Sequence, residues 1–366
     1  MEESLNIRER LYEMANVLDY LKWRKDLTFK QDSFNEVDAL ILARLSYIPF
    51  DGILSQNSME TISLSKAISI FLKDPDCKEK VLLSKDIDLI QELENSVRFS
   101  GLKLSFYVNQ IELDKQKQFS ALVISIHDRL HCVSFRGTDS TIVGWKEDFN
   151  MTFMTPVPSQ VSAKIYLKEV MKSLKGKFIL TGHSKGGNLA IYAGVENSKI
   201  IQKRILNIYN FDGPGFESDF FKKPSYLNIE SIICTYIPQS SIVGMLLEHE
   251  ENHQIVKSTN NGILQHDLYS WQVIQNTLIQ SESLTKDSVL IDETVKEWVA
   301  SLDVMQRQQF IDSIYKLFES SQTLDELYKN TGKIISSIKN LSEEEKKNIG
   351  DILKLLLKSF IKNVRE

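Results

Sequence analysis

The sequence between Thr181 and Asn188 reads TGHSKGGN and contains the pattern Gly-x-Ser-x-Gly. The strand-like run KFILTG leads into it and the helical run NLAIYAGVE leads out of it, which is the setting of a nucleophile elbow. In such an elbow the serine occupies a strained turn, so its hydroxyl projects clear of the sheet. Ser184 is therefore the candidate nucleophile, and Gly182 and Gly186 are expected to keep side chains out of the crowded turn.

Two groups are expected to stabilise the oxyanion that forms when a serine attacks a carbonyl. The main-chain N–H of Lys185 lies at the N-terminus of the predicted helix and is placed to bond a developing negative charge. The run VSFRGT ends an earlier strand, and Thr138 at its end offers both an N–H and a hydroxyl. A simple polar turn is the alternative there, with Arg136 paired to Asp148 to fix the loop.

The general base should follow the serine in the chain, because the order in this fold is serine, acid, histidine. His249, His253 and His266 satisfy that order. We favour His266, because it lies in the loop GILQHD between the last strand-like run and an apparent helix. His183, inside the Gly-x-Ser-x-Gly motif, is expected to point away from the hydroxyl and to pack in the core.

The paired motifs also resemble a known family. The run FRGT, followed by Trp145 and Asp148 and then by GHSKGG, resembles the class 3 lipases of the α/β-hydrolase superfamily. Over residues 18–275 the sequence is similar to a bacterial lipase-like family. The resemblance implies an α/β-hydrolase fold, Ser184 as the nucleophile and an oxyanion hole formed by Thr138 and the N–H of Lys185.

The acid departs from the pattern of the class 3 lipases. Those enzymes carry an Asp after the strand that reads SIICTYIPQSSIVG here, where this sequence has Gln, Ser and Ser at 239–241. Asp212, in NFDGPG at the tip of the preceding strand, is our preferred acid, since it would hold the imidazole from one strand over. Asp212 as a mere turn residue is the alternative, and Glu248 and Asp267 remain substitutes for the acid.

A second motif competes for His249 and His253. The run from 249 to 253 reads HEENH and matches H-E-x-x-H, which on a helix places two zinc ligands one turn apart. A zinc protease would also need an apolar helix and a third ligand, and this segment is crowded with charge. A solvated acidic segment over the active-site face is the favoured interpretation, with no metal bound.

The loop from Asp139 to Pro158 is rich in large apolar side chains. We expect it to line or cover an acyl pocket as a lid, with contacts from Trp145, Phe149, Phe153 and Met154. A loop buried against the N-terminal helices is the alternative.

The order of the elements predicts the fold that must position these groups. Between Leu102 and Ile237, runs of β-branched and aromatic residues are first consecutive and then alternate with helical runs. This order favours a mainly parallel sheet covered by helices on both sides. We predict an α/β-hydrolase core over 101–280, a helical N-terminal part over 1–100 packed on that core, and a C-terminal helical extension over 281–366.

The predicted C-terminal helices are amphipathic. Packing against the core is the favoured interpretation. The alternative is a helix that binds a partner or transiently contacts a membrane surface. Basic residues lie among the leucines near the end of the sequence, at Lys354, Lys358, Lys362 and Arg365.

Composition limits the classes of function. With 42% hydrophobic and 25% charged residues, the 366-residue chain has the proportions of a soluble globular protein. A net charge of -5 without a basic block disfavours nucleic-acid binding. Three scattered cysteines disfavour a disulfide framework and a multi-cysteine zinc site. No export signal or membrane-spanning run is apparent, so a cytoplasmic location is expected.

The sequence therefore predicts a serine carboxylic-ester hydrolase that acts on an acyl lipid or another ester through an acyl-enzyme, without a cofactor. Two alternatives stay open. One is a hydrolase-fold protein that binds a ligand or partner and turns over little, and the other is the zinc protease. Acyl chain length, head group and oligomeric state are not encoded in these patterns.

Overall fold

The computed structural model describes residues 15–139, 144, 147, 150, 151, 155–241, 243–245, 247–251 and 253–285. Within them, eight strands form one sheet in the order of the sequence. The strands are β1 (Ile62–Ser63), β2 (Lys103–Glu112), β3 (Lys117–His127), β4 (Leu130–Phe135), β5 (Lys177–His183), β6 (Ile205–Phe211), β7 (Ile233–Pro238) and β8 (His253–Val256). A short hairpin follows, made of β9 (Val273–Ile274) and β10 (Thr277–Leu278).

Helices cover both faces of this sheet. The α-helices of the described part are α1 (Val17–Arg24), α2 (Glu36–Leu45), α3 (Leu64–Leu72), α4 (Cys77–Lys80), α5 (Lys85–Glu94), α6 (Pro158–Ser173), α7 (Lys185–Val195), α8 (Lys199–Gln202), α9 (Ser218–Phe221) and α10 (Pro224–Leu227). Short 3-10 helices span Glu230–Ile232, Gly262–His266 and Leu268–Ser270.

Strands β1 to β4 pair antiparallel, whereas β4 to β8 pair parallel. The carboxyl ends of the parallel strands therefore meet at one edge, where ligands bind in open α/β sheets. The prediction of an α/β-hydrolase fold class with a mainly parallel central sheet and helices at the N-terminal side is confirmed.

The parallel strands are apolar on both faces because each face contacts a helical layer. In β4 and β5, Val133 and Leu180 pack with the layer that holds α6 and α7. Their neighbours Cys132 and Ile179 point the other way, into the layer that holds the N-terminal helices. Because successive side chains of a strand point to opposite faces of the sheet, each strand contributes to two separate hydrophobic cores.

Helix α2 lies directly against the centre of the sheet. The hydroxyls of Ser134 and Thr181 donate to the carbonyls of Leu42 and Ala39 at 2.9 and 3.0 Å. Asn35 caps the helix, since its side chain accepts from the N–H groups of the first turn. The N-terminal helical part is therefore bonded to the strands that lead into the Gly-x-Ser-x-Gly motif.

A buried ion pair fastens α2 to α5. The guanidinium of Arg44 donates to both carboxylate oxygens of Asp86, each at 2.6 Å. The same carboxylate accepts from the N–H of Leu83 at 2.9 Å and from the hydroxyl of Tyr269 at 2.7 Å. This carboxylate therefore links the N-terminal helices to the last 3-10 helix, and its bonds compensate the cost of burying the charge.

Parts of the sequence-based division lie outside the described residues. The predicted C-terminal extension falls there from residue 286 onward, and the boundaries at 100 and 280 stay predictions. No helix in the described part has the length and apolar character needed to cross a bilayer.

Replacement of Arg44 by Met should lower the free energy of unfolding by about 3–5 kcal/mol, because the Asp86 carboxylate would stay buried without its cation. Urea denaturation at neutral pH measures this. The exposed pair Lys222–Asp219 is the control, and Lys222→Met should leave the urea midpoint unchanged. Equal midpoints for Arg44→Met and the native chain would contradict the prediction.

Candidate active site

Ser184 forms the turn between β5 and α7. Its backbone has φ 57° and ψ -134°, a conformation that non-glycine residues adopt at a cost of roughly 1–3 kcal/mol. Two bonds hold it, from its own N–H to the carbonyl of Phe211 and from the N–H of Gly187 to its carbonyl, both at 2.9 Å. The residue is largely enclosed, at 8% exposure. This is the strained serine turn that the motif predicts.

The close approach of backbone at this turn requires glycine. A Cβ at Gly182 would overlap the carbonyl of Gly186, and a Cβ at Gly186 would overlap the carbonyl of Phe135. The first turn of α7 therefore lies directly on the ends of β4 and β5.

Asp212 and His266 meet at the same edge of the sheet. Asp212 follows β6, and its carboxylate Oδ2 lies 2.6 Å from Nδ1 of His266. The other oxygen accepts from the Ser241 hydroxyl at 2.5 Å and from the N–H of Gly244 at 3.1 Å. Asp212 is buried, while the His266 side chain keeps 27% exposure. The carboxylate can thus orient an imidazole that is still open to a reactant.

Of the two substitute acids, one has a capping role and the other is exposed. Asp267 accepts from the N–H of Tyr269 at 3.0 Å and so caps the last 3-10 helix. Glu248 is exposed, and its backbone pairs with that of Phe216. The segment that lacks a carboxylate after β7 instead supplies Ser241, which donates to Asp212.

Thr138 lies in the loop that follows β4, half-buried. Its neighbour Gly137 faces the serine turn closely enough that a Cβ there would lie 3.1 Å from Cβ of Ser184. Arg136 pairs with Asp139 at 3.2 Å and with the amide oxygen of Asn109 at 3.0 Å. The expected partner of Arg136, Asp148, lies outside the described residues.

The side chain of Lys185 is fully buried beneath the turn. Its ammonium donates to Gln118, at 2.6 Å to the amide oxygen and 3.0 Å to the carbonyl, and to Glu147 Oε2 at 3.0 Å. Glu147 is also fully buried. It accepts from the N–H groups of Gln118 at 3.0 Å and Ser159 at 2.8 Å. The residue after the serine thus fastens β3, α6 and α7 together.

The proposed lid segment is described only in part. Trp145, Phe149, Phe153 and Met154 lie outside the described residues, so their contacts with an acyl chain stay a prediction. Glu147, Asn150 and Met151 of the same segment are buried.

His183 is buried behind the serine turn. Its Nδ1 lies 3.0 Å from the hydroxyl of Tyr47, and its Nε2 lies 3.0 Å from the carbonyl oxygen of His266. Burial, together with the nearby His266 and Arg44, holds the pKa of His183 well below its usual value. The ring is therefore neutral at neutral pH and is fully occupied by structural bonds.

The described residues of the H-E-x-x-H run, 249–251 and 253, do not form a helix. His253 is the first residue of β8, and His249 precedes it in a loop with its Nδ1 2.8 Å from the Glu251 carboxylate. Glu251 is buried and also accepts from the hydroxyl of Thr235 at 2.8 Å, whereas Glu250 is exposed, so the expected solvation holds for only part of this segment. Among the described residues, no three His, Cys, Asp or Glu side chains are grouped to hold a metal ion.

Sequence reasoning missed the partners of Lys185 and His183. A signal for the first existed, since Lys185 is the one charged residue in the otherwise uncharged helix KGGNLAIYAGV. Such a lysine predicts a buried anion nearby, although it does not say which of many carboxylates supplies it. Tyr47 carried no signal, because 136 residues separate it from His183.

Replacement of Glu147 by Leu should lower the free energy of unfolding by about 3–5 kcal/mol, because the Lys185 ammonium would remain buried without its anion. The double variant Lys185→Met/Glu147→Leu removes both charges and should lose less. Urea denaturation of the two variants and the native chain tests this. A double variant as unstable as Glu147→Leu would contradict the prediction.

Two solved lipase structures and one family model are similar to this chain. The Rhizomucor miehei lipase propeptide complex is 15% identical, with 60% of this chain and 66% of that chain covered, just under two thirds, at a TM-score of 0.36. The M37 lipase is 18% identical, with 56% and 68% covered, at a TM-score of 0.34. No curated protein matches the sequence. The Mbeg1-like family model matches residues 93–316, more than half of the chain, and the protein therefore belongs to the Mbeg1-like family.

Proposed function

We propose that this protein is a serine carboxylic-ester hydrolase, with Ser184 as nucleophile, His266 as general base and Asp212 as the acid that orients it. The observation that carries the proposal is the 2.6 Å contact between His266 Nδ1 and Asp212 Oδ2, at the sheet edge where Ser184 forms its strained turn. A histidine oriented by a buried carboxylate beside such a serine is the arrangement of acyl-transfer catalysis.

The protonation of His266 follows from its partner. An ionised carboxylate only accepts, so Nδ1 carries the hydrogen and Nε2 keeps a lone pair. That lone pair takes the proton of the Ser184 hydroxyl as the oxygen attacks the ester carbonyl. The resulting imidazolium is stabilised by Asp212 and then protonates the leaving alcohol. Water, activated by the same histidine, releases the acyl group from the serine.

The oxyanion of each tetrahedral intermediate would accept hydrogen bonds from the N–H of Lys185 and from Thr138. The placement of Gly137 against Ser184 supports this assignment, because it brings the loop after β4 beside the serine turn. The bonds of the Lys185 side chain support it too, since they fix the first residue of α7 from below.

The substrate proposed is an acyl lipid or another ester. The apolar lid residues Trp145, Phe149, Phe153 and Met154 would cover its acyl chain. A cofactor has no role in this chemistry.

A fluorophosphonate probe should label the native chain, since it phosphonylates an activated serine. Ser184→Ala should abolish labelling, and His266→Ala should slow it by at least about 10³-fold because the base is removed. Gel fluorescence after timed labelling measures both, and Ser173→Ala, at an exposed serine that ends α6, serves as a second serine variant that should still be labelled. Equal labelling of Ser184→Ala would contradict the assignment of the nucleophile.

Asp212→Asn should lower kcat for p-nitrophenyl esters by roughly 10²–10⁴-fold, because the amide favours the wrong tautomer of His266. Asp267→Asn is the matched control and should leave kcat within about twofold, since Asp267 caps a helix instead. A larger loss from Asp267→Asn than from Asp212→Asn would exchange their roles.

The two alternatives make different predictions in the same assays. A protein that only binds its ligand would neither be labelled nor hydrolyse the esters. A zinc protease would lose its activity with a chelator, which a serine hydrolase should withstand.

A further inference from the structure

A chain of hydrogen bonds leads from the N-terminal helices to the loop of His266. Tyr47 follows the end of α2, and its hydroxyl lies 3.0 Å from Nδ1 of His183 and 3.3 Å from the His183 carbonyl. Nε2 of His183 in turn lies 3.0 Å from the carbonyl oxygen of His266. The rings of His183 and His266 are 4.4 Å apart. Three parts of the chain that are distant in sequence therefore converge behind the serine turn.

The direction of each bond is fixed by chemistry. A carbonyl oxygen can only accept, so His183 must carry its hydrogen on Nε2 and donate it to His266. The neutral ring then has a lone pair on Nδ1, which accepts from the hydroxyl of Tyr47. The one hydrogen of the Tyr47 hydroxyl is then donated to Nδ1, the nearer of its two acceptors, and this bond favours the tautomer that the His266 carbonyl requires.

A second contact supports the same loop from the same helix. The Arg44 guanidinium lies 4.5 Å above the ring of Tyr47 and pairs with Asp86. Asp86 accepts from the hydroxyl of Tyr269, three residues beyond His266. Arg44 therefore holds Tyr47 on one side and, through Asp86, the 3-10 helix after His266 on the other.

We infer that Tyr47 and His183 are positioning residues for the reaction proposed above: they fix the main chain of His266 so that its imidazole faces Ser184. The inference rests on the proposed function. His266 belongs to a short 3-10 helix, and its side chain is partly exposed. Asp212 restrains the ring at Nδ1, and His183 restrains the backbone that carries the ring.

The size of the effect follows from catalytic geometry. A base must lie within hydrogen-bond reach of the proton that it removes, and a displacement of about 1 Å can cost about 10²-fold in rate. A positioning role therefore lowers kcat and leaves KM nearly unchanged, because substrate binding does not require the base to be aligned.

His131 offers a matched control for His183. It is buried, its Nδ1 lies 2.8 Å from the Ser125 hydroxyl and its Nε2 lies 3.0 Å from the Lys175 carbonyl. The bonding pattern is the same, but His131 pairs with Phe178, five residues before His183 along β5. That separation is about 16 Å at the rise of a strand.

The kinetic test compares His183→Leu with His131→Leu in the full chain, with p-nitrophenyl butyrate as substrate. His183→Leu should lose about 10²-fold in kcat with KM within about twofold, and His131→Leu should keep its kcat. Equal losses in the two variants, or a change confined to KM, would overturn the inference.

Two variants that preserve shape guard against a trivial folding defect. His183→Gln keeps an amide N–H able to reach the His266 carbonyl, and it should recover most of the kcat lost in His183→Leu. Tyr47→Phe removes one hydroxyl and should lose about 10-fold in kcat, because Nδ1 of His183 loses the donor that favours the required tautomer. No recovery in His183→Gln together with full activity in Tyr47→Phe would overturn the inference.

Hydrogen exchange separates this inference from the proposed function. Peptides that cover residues 258–272 should exchange faster in His183→Leu than in the native chain, and at the native rate in His131→Leu. This readout needs no turnover, so it decides whether His183 holds the loop even if the native chain fails to react with a fluorophosphonate. That failure would remove the proposed function. Unchanged exchange in His183→Leu would remove the positioning role.

Discussion

The contact between the first turn of α7 and the ends of β4 and β5 is the constraint on which this structure depends. It requires Gly182 and Gly186 and leaves a single residue, Ser184, to change the direction of the chain. Because the helix then starts at the sheet edge, the tip of β6 falls beside it and brings Asp212 to that edge. A side chain at Gly182 or Gly186 would overlap backbone atoms in this contact. It would therefore displace Ser184 from its position beside the tips of β4 and β6.

Charges buried far from solvent join the elements around that contact. Arg44 with Asp86, and Lys185 with Glu147, each saturate a carboxylate with additional N–H or hydroxyl donors. Such pairs add little to stability compared with apolar packing, but they admit one arrangement of their donors and acceptors. Here each pair joins a helix to another element beside the site: Arg44 joins α2 to α5, and Lys185 joins α7 to Glu147 and to β3.

Much of the fold could be read from the sequence because its signals are local. Glycine spacing and the strand before it predicted the turn at Ser184, and apolar runs predicted strands and helices. The order of strands suggested Asp212 beside His266, and the two are in contact, although their catalytic roles stay predictions. The bonds of His183 could not be read, because its hydroxyl partner comes from 136 residues away and its acceptor is a backbone carbonyl. The H-E-x-x-H run matched a zinc-binding helix only as a pattern, because His253 begins a strand that pairs with the preceding one.

The contacts that lead from α2 and Tyr47 through His183 and Asp86 to the loop of His266 bear on how far the folded unit extends along the chain. All residues proposed for catalysis lie within residues 93–316, the part that matches the Mbeg1-like model. Arg44, Tyr47 and Asp86 lie before it, yet they contact the loop or its neighbours directly. A fragment excised at residue 93 would keep every reacting group and lose the scaffold behind the histidine. The residues that match the family model are thus fewer than the residues that hold the proposed site in place. The latter include the N-terminal helices.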